Sequence, residues 1–172
     1  MVNESTTPKA IFFDRDGVIN KPVFHEDTSE YGAPRSLNEI ILYPGIFQLM
    51  SKLKKDYLLF IVSNQSGAAK RHVTYNELMN VLGWFEEIFE NYITEFYWCK
   101  HHPSRCKCLC RKPGTYFVEQ VIKNYNIDVS KSFFIGDTYE TDIICGKTIG
   151  LNTIQVGPNY SPYCLMNTLL KI

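Results

Sequence analysis

Two aspartates, Asp14 and Asp16, follow the apolar run Ala10-Ile11-Phe12-Phe13 and precede Gly17. A carboxylate at such a strand end can attack phosphorus as a nucleophile. A second carboxylate two residues on points to the same side of an extended chain and can carry the proton of a departing or attacking oxygen. Gly17 suits a backbone that turns sharply beside a ligand. Alone, Asp-Arg-Asp-Gly is as well explained as a turn ending a strand. Three more segments change the balance: Ser63-Asn64-Gln65-Ser66-Gly67, Arg111-Lys112-Pro113-Gly114, and Gly136-Asp137 with Asp142. An aspartate attacking a phosphate dianion is repelled by it, so the site needs a divalent cation and a fixed ammonium group. Magnesium favours oxygen ligands, which Asp14 and Asp137 supply together with Asp16 through its backbone carbonyl. Asp142 is expected to assist through water or to hold its loop. Lys112 is the ammonium, and Ser63 donates its hydroxyl to the phosphoryl group with the backbone amides of Asn64 and Gln65 beside it. Ser66 and Arg111 are expected substrate contacts.

A second cluster crowds Cys99, His101, Cys106, Cys108 and Cys110 into one short stretch. A tetrahedral zinc site explains this density. The competing reading, a disulfide-bearing loop, conflicts with a polar amino terminus, Met1–Lys9, which has no signal-peptide core and points to a reducing, cytoplasmic compartment. His102 and Cys106 remain alternatives within the ligand set. Zinc here would be structural, holding the loop 99–110 so that Arg111 and Lys112 face the crevice. Cys145 and Cys164 lie outside the cluster and are expected to pack as small apolar residues.

The elements that must position these groups are legible from periodicity. Ala10–Phe13 and Tyr57–Val62 read as buried parallel strands, with Ile93–Trp98, Ser132–Ile135 and Asn152–Val156 as further strands. Ile46, Leu49, Met50 and Leu53 recur at helical spacing after Pro44-Gly45. Thr74-Tyr75-Asn76-Glu77 has capping-box form ahead of Leu78, Val81, Leu82, Phe85, Ile88 and Phe89. A helix with Phe117, Val118, Val121, Ile122 and Tyr125 follows Pro113, and a short one spans Thr141–Lys147. The remainder reads as a tail punctuated by Pro158 and Pro162. Repeated β-α units with right-handed crossovers predict an α/β fold: a three-layer α/β/α sandwich on a mainly parallel, Rossmann-like sheet. In such a sheet the strand ends form a common crevice, so residues far apart in sequence can meet there.

The chain of 172 residues is 45% hydrophobic, and its 18 basic residues balance 18 acidic ones. This predicts a single domain, 1–172, with no transmembrane segment, and argues against nucleic acid or membrane as the main partner.

The segments Asp14–Asn20, Ser63–Gly67, Cys110–Pro113 and Gly136–Asp137 resemble the four motifs of haloacid dehalogenase (HAD) superfamily phosphatases. Within them they most resemble the D-glycero-D-manno-heptose 1,7-bisphosphate phosphatases, which are related to the histidinol phosphatases. The resemblance implies a sheet without a large cap domain, an aspartyl-phosphate intermediate on Asp14, magnesium, and Cys99, His101, Cys108 and Cys110 as the zinc ligands. A monomer acting on a small phosphorylated sugar is expected. Substrate selection is expected from the stretch Lys21–Tyr43, with His25, Glu26, Asp27, Glu30, Tyr31 and Arg35, from Lys70-Arg71-His72, and from Arg111. Two departures stand out: the loop between Asn20 and Gly45 is longer than in the heptose enzymes, and four residues rather than three separate Asp137 from Asp142. The alternatives are a histidinol-phosphate phosphatase, a nucleic-acid 3′-phosphatase, and an inactive zinc-stabilised interaction domain.

Overall fold

The computed structural model describes residues 7–169; most of the polar amino-terminal stretch therefore lies outside the described residues. Chain order is β1 (Ala10–Phe13), β2 (Val23–His25), β3 (Glu30–Gly32), α1 (Ile46–Leu53), β4 (Leu58–Asn64), α2 (Tyr75–Phe89), β5 (Glu95–Cys99), α3 (Tyr116–Tyr125), β6 (Phe133–Gly136), α4 (Ile144–Ile149), β7 (Asn152–Gln155) and α5 (Pro162–Leu169). The main sheet has five strands in the order β5-β4-β1-β6-β7, all neighbours being parallel. From β1 the chain builds outward to β4 and β5, then returns past β1 to β6 and β7. The direction of winding therefore reverses beside the end of β1, the place where open α/β sheets bind ligands.

Alternation along the strands explains the layers. Ile11, Phe13, Leu59 and Ile61 pack on one face against α1, α2 and α5, whereas Ala10, Phe12, Phe60 and Val62 pack on the other against Val118 and Val121 of α3 and Cys145 of α4. Burial of each large apolar side chain contributes roughly 1.5–3 kcal/mol, so both faces of β1 are anchored and Asp14, one residue past its end, is held in place. The capping box foreseen at Thr74 is present: its hydroxyl accepts from the Glu77 amide, and Glu77 accepts from the Thr74 amide.

The tail is a correction. Pro162–Leu169 is a helix, with proline in its first turn, where a missing N–H costs nothing, and Leu165, Met166 and Leu169 buried at helical spacing against the α1 layer. Cys164 lies on the outer face of that helix and is exposed, not packed; Cys145 is buried as expected. Within Lys21–Tyr43, β2 and β3 form an antiparallel hairpin that takes the place of a plain loop. Its turn uses Ser29 at φ 54°. Among the described residues no helix is long and apolar enough to cross a membrane.

Candidate active site

Asp14 leaves β1 with its amide bonded to the Ile135 carbonyl (2.9 Å), which fixes the end of β1 against β6. Gly17 then turns at φ +81°, and any Cβ there would overlap the carboxylate of Asp137. Glycine is thus needed both for the turn and for close approach. At Gly136 a Cβ would likewise overlap Asp142. These two glycines let the β6 loop bring its carboxylates against the β1 loop. Carboxylate oxygens of Asp14, Asp137 and Asp142 lie within 4.8 Å of one another.

Asp142 reaches that position through a π-helical turn over Tyr139–Ile143 that runs directly into α4. Such a turn absorbs one extra residue, which accounts physically for the four-residue interval between Asp137 and Asp142. The carboxylate of Asp142 is fully buried, accepts from the Thr138 amide (3.1 Å) and contacts Lys112 Nζ at 2.7 Å. The same Nζ lies 2.8 Å from Asp14 Oδ1. Lys112 is therefore a buried ammonium shared by two carboxylates. Burial pulls its pKa down, but Asp14 and Asp142 more than offset this and leave it raised.

Burial pushes Asp14 up to about 6, Lys112 opposes the rise, and the carboxylates of Asp142 and Asp16 add to it. Asp137 is raised as well, by burial first, with a Thr138 hydrogen bond opposing and Asp142 reinforcing. Three carboxylates facing one ammonium leave a surplus of negative charge among hard oxygen donors, the environment a divalent cation such as magnesium fits.

Asp16 is turned away from this trio. Its carboxylate accepts from Arg15 (Nη2 at 2.7 and 2.9 Å, Nε at 3.1 Å), from Asn20 Nδ2 (3.0 Å) and from Gln65 Nε2 (2.7 Å). Gln65 also donates to Ser63 Oγ (2.9 Å), so Ser63 is joined to Asp16 through it. Asn64 does something its sequence position did not suggest. Its side-chain amide donates to the Lys112 carbonyl (3.1 Å) and accepts from the Lys112 amide (3.0 Å), clamping the lysine backbone to the end of β4. Asn20 and Arg15 were not singled out as site residues; nothing in residue type alone distinguishes an arginine after a strand from a solvated one.

Beside the trio, a cleft of about 170 Å³ is lined by His25, Arg35, Gln65, Ser66, Lys70 and Arg111 among others. Arg35 is braced by a two-oxygen contact of its Nη1 with Asp27 (2.8 and 2.9 Å). His25 is buried and bonds the Ala33 carbonyl at 2.9 Å, fixing the hairpin that forms one wall.

Cys99, His101, Cys108 and Cys110 gather within 4.8 Å, with Cys99–Cys108 at 3.7 Å, Cys99–Cys110 at 3.5 Å and Cys110–His101 Nδ1 at 3.2 Å. Zinc–sulfur bonds of about 2.3 Å set tetrahedral sulfur–sulfur edges near ~3.8 Å, so the four donors are spaced for one zinc. All six cysteines are free, so the loop carries no disulfide among them. Cys106 is exposed and outside the cluster, and His102 Nδ1 is occupied by the Ser104 and Arg105 amides. Burial pushes the Cys110 thiol up to about 12, with the neighbouring thiols adding to the rise, and also raises Cys99.

With the geometry in view, comparison with known proteins is informative. Residues 109–159 match the HAD-hydrolase-like family model. The chain is 31% identical over 155 residues to the D-glycero-beta-D-manno-heptose-1,7-bisphosphate 7-phosphatase of Haemophilus ducreyi, covering 84% of this chain and 80% of that protein. The Pasteurella multocida protein of the same name is 32% identical over 158 residues, covering 86% and 81%. The chain belongs to this family of HAD-like phosphatases. Its fold is also that of the D,D-heptose 1,7-bisphosphate phosphatase from B. bronchiseptica, crystallised with magnesium and phosphate, at a TM-score of 0.77 and 22% identity over 95% of this chain and 98% of that one. Family membership agrees with the three-layer sheet and the absence of a large cap among the described residues; the hairpin β2–β3 lines the cleft together with Asn64 and Gln65 at the end of β4.

Proposed function

We propose that the protein is a phosphomonoesterase whose substrate is D-glycero-D-manno-heptose 1,7-bisphosphate, the compound named for its relatives. The observation that carries this reading is the convergence of Asp14, Asp137 and Asp142 around Lys112 at the winding reversal of the sheet. Asp14, Asp137 and the backbone of Asp16 would hold magnesium, with Asp142 behind them; the ion supplies charge neutralisation for the phosphoryl oxygens. A carboxylate oxygen of Asp14 forms the bond to phosphorus as the bond to the sugar oxygen breaks, and the proton on Asp16 passes to that departing oxygen. Water then attacks phosphorus, gives its proton to Asp16 and releases Asp14 and inorganic phosphate. Lys112 stabilises charge on the phosphoryl group and Ser63 donates to it.

The cleft beside the site carries three cationic side chains, Arg35, Lys70 and Arg111, which supports a second anionic group on the substrate more than a neutral one. Zinc on Cys99, His101, Cys108 and Cys110 would stiffen the loop presenting Arg111 and Lys112. The protein is read as a cytoplasmic monomer that does not act on nucleic acid. The test is magnesium-dependent phosphate release from heptose 1,7-bisphosphate, histidinol phosphate and 3′-phosphorylated oligonucleotides. Preference for the bisphosphate, abolished by Asp14→Asn, is expected; preference for either other substrate would overturn the sugar assignment, and no release from any would overturn the activity.

A further inference from the structure

Among the described residues, the guanidinium of Arg15 is a large buried charge at the sheet end that takes no direct part in the reaction. Its side chain is fully buried, and its carbon Cζ sits 4.8 Å from the ring of Phe85 and 6.0 Å from that of Trp98. Both rings are themselves fixed: Phe85 is buried in α2, and Trp98 donates its indole N–H to Glu86 at 2.6 Å. The Arg15 backbone is fixed too, because its carbonyl accepts from the amides of Val18 (3.2 Å), Ile19 (2.7 Å) and Asn20 (3.2 Å). Arg15 thus emerges from a closed turn, lies against two aromatic faces and ends on Asp16.

Burial of a guanidinium is costly and is ordinarily justified by full pairing. Here pairing is incomplete: Nη1 is buried without a hydrogen-bond partner among the described residues. The fork ends on Asp16, its ion-pair partner. Stability alone does not call for an ion pair at this position, since replacing a buried ion pair by well-packed apolar groups is often neutral or favourable. The two Asp16 oxygens are also treated differently. Oδ1 receives Arg15 Nε, Arg15 Nη2 and Asn20, whereas Oδ2 receives Arg15 Nη2 and Gln65; Asn20 also donates to the Lys21 carbonyl and Gln65 to Ser63. Oδ1 takes three donors; Oδ2 takes two, the Arg15 Nη2 that it shares with Oδ1 and the Gln65 amide that lines the cleft.

We infer that Arg15 is a positioning residue for the reaction: its stacked, planar fork sets the plane of the Asp16 carboxyl by holding Oδ1, leaving Oδ2 as the oxygen that gives the proton to the departing oxygen and takes one from water. This rests on the phosphatase reading above. A lysine would keep the charge but could not hold the plane, and misplacement of a reacting group by about 1 Å can cost roughly 100-fold in rate.

The test exploits the leaving group. An alkyl phosphate needs its departing oxygen protonated, whereas the nitrophenolate of p-nitrophenyl phosphate departs without a proton. In Arg15→Lys and Arg15→Met, kcat/KM on the sugar phosphate is expected to fall roughly 10- to 100-fold, with a fall of less than about threefold on p-nitrophenyl phosphate and with unchanged zinc content. In an Asp16→Asn background, Arg15→Lys should produce no further loss on the sugar phosphate. Equal losses on both substrates, no loss on either, or an additive loss in the Asp16→Asn background would each overturn the inference. Should Arg15→Met not fold, Arg15→Lys and the double variant still decide it. The phosphatase reading fails separately, if the unaltered protein hydrolyses neither substrate or Asp14→Asn stays active on both.

Discussion

Lys112→Met isolates the charge at the centre of the site while nearly conserving side-chain length. In the unaltered protein without metal, Asp14 stands at about 6 against 3.8 for an ordinary aspartate. At 1.36 kcal/mol per pKa unit this is a penalty of about 3 kcal/mol for ionising it in the folded state. The folded protein therefore holds this proton more tightly than the unfolded chain, and its contribution to stability is complete below about pH 4 and lost as pH rises through about 6. A cation beside a carboxylate lowers its pKa by roughly 1–3, so loss of the Lys112 ammonium carries Asp14 past neutrality. The variant should then go on losing stability between about pH 7 and 8.5, where ionisation of this group in the parent is nearly complete. Breaking a buried charge pair costs roughly 3–5 kcal/mol, which for a domain of this size lowers the thermal midpoint by about 10 °C. Magnesium should respond in the opposite sense, since the site loses a cation that repels it: at pH 8.5 the variant should bind magnesium more tightly and turn over more slowly. Urea unfolding of chelator-treated protein at pH 5.5, 7 and 8.5, with calorimetric magnesium titration, measures both. Parallel stability profiles for the two proteins, or weaker magnesium binding by the variant, would refute the charge triad.

Gly17→Ala should place a methyl group against the Asp137 carboxylate in a backbone conformation alanine resists, weakening magnesium binding and activity together, as a titration of activity against magnesium would show. Zinc loading of metal-free protein at pH 7 should release roughly two to three protons per ion, because bound thiols are deprotonated and burial keeps Cys99 and Cys110 protonated beforehand; release is read with an indicator in weak buffer, and release of fewer than one would exclude thiolate ligation. Thr74→Ala should cost about 1 kcal/mol of stability through loss of the α2 cap, read as a shift of the urea midpoint; an unshifted midpoint would contradict the cap's role.

The strands and the charged residues at their ends were legible because parallel strands buried on both faces read as apolar runs, and a carboxylate directly after such a run has few places to go. Asp14 and Asp137 were visible on that basis, Lys112 because a phosphate site needs a fixed ammonium and this lysine follows the cysteine cluster, and Asp142 was visible as a residue though not as the buried partner of Lys112. Its role depends on a π-helical turn that no side-chain pattern announces. The hairpin over Lys21–Tyr43 was missed because each strand is only three residues long and its alternation is too brief to separate from a polar loop. Helix α5 was missed for a different reason: Pro162 was read as a break, although proline favours the first turn of a helix, and Leu165, Met166 and Leu169 carried the correct spacing. The two-way amide clamp of Asn64 on Lys112 and the fork of Arg15 on Asp16 depend on side-chain direction in three dimensions, which spacing does not specify.

The most direct test of the account is to quench the enzyme during turnover, reduce the protein with borohydride and map the modified residue by mass spectrometry. An acyl phosphate at Asp14, converted by reduction to homoserine at that position and missing when magnesium is withheld, is the expected result. Modification at another residue, or turnover with none at Asp14 under conditions that preserve acyl phosphates, would contradict it.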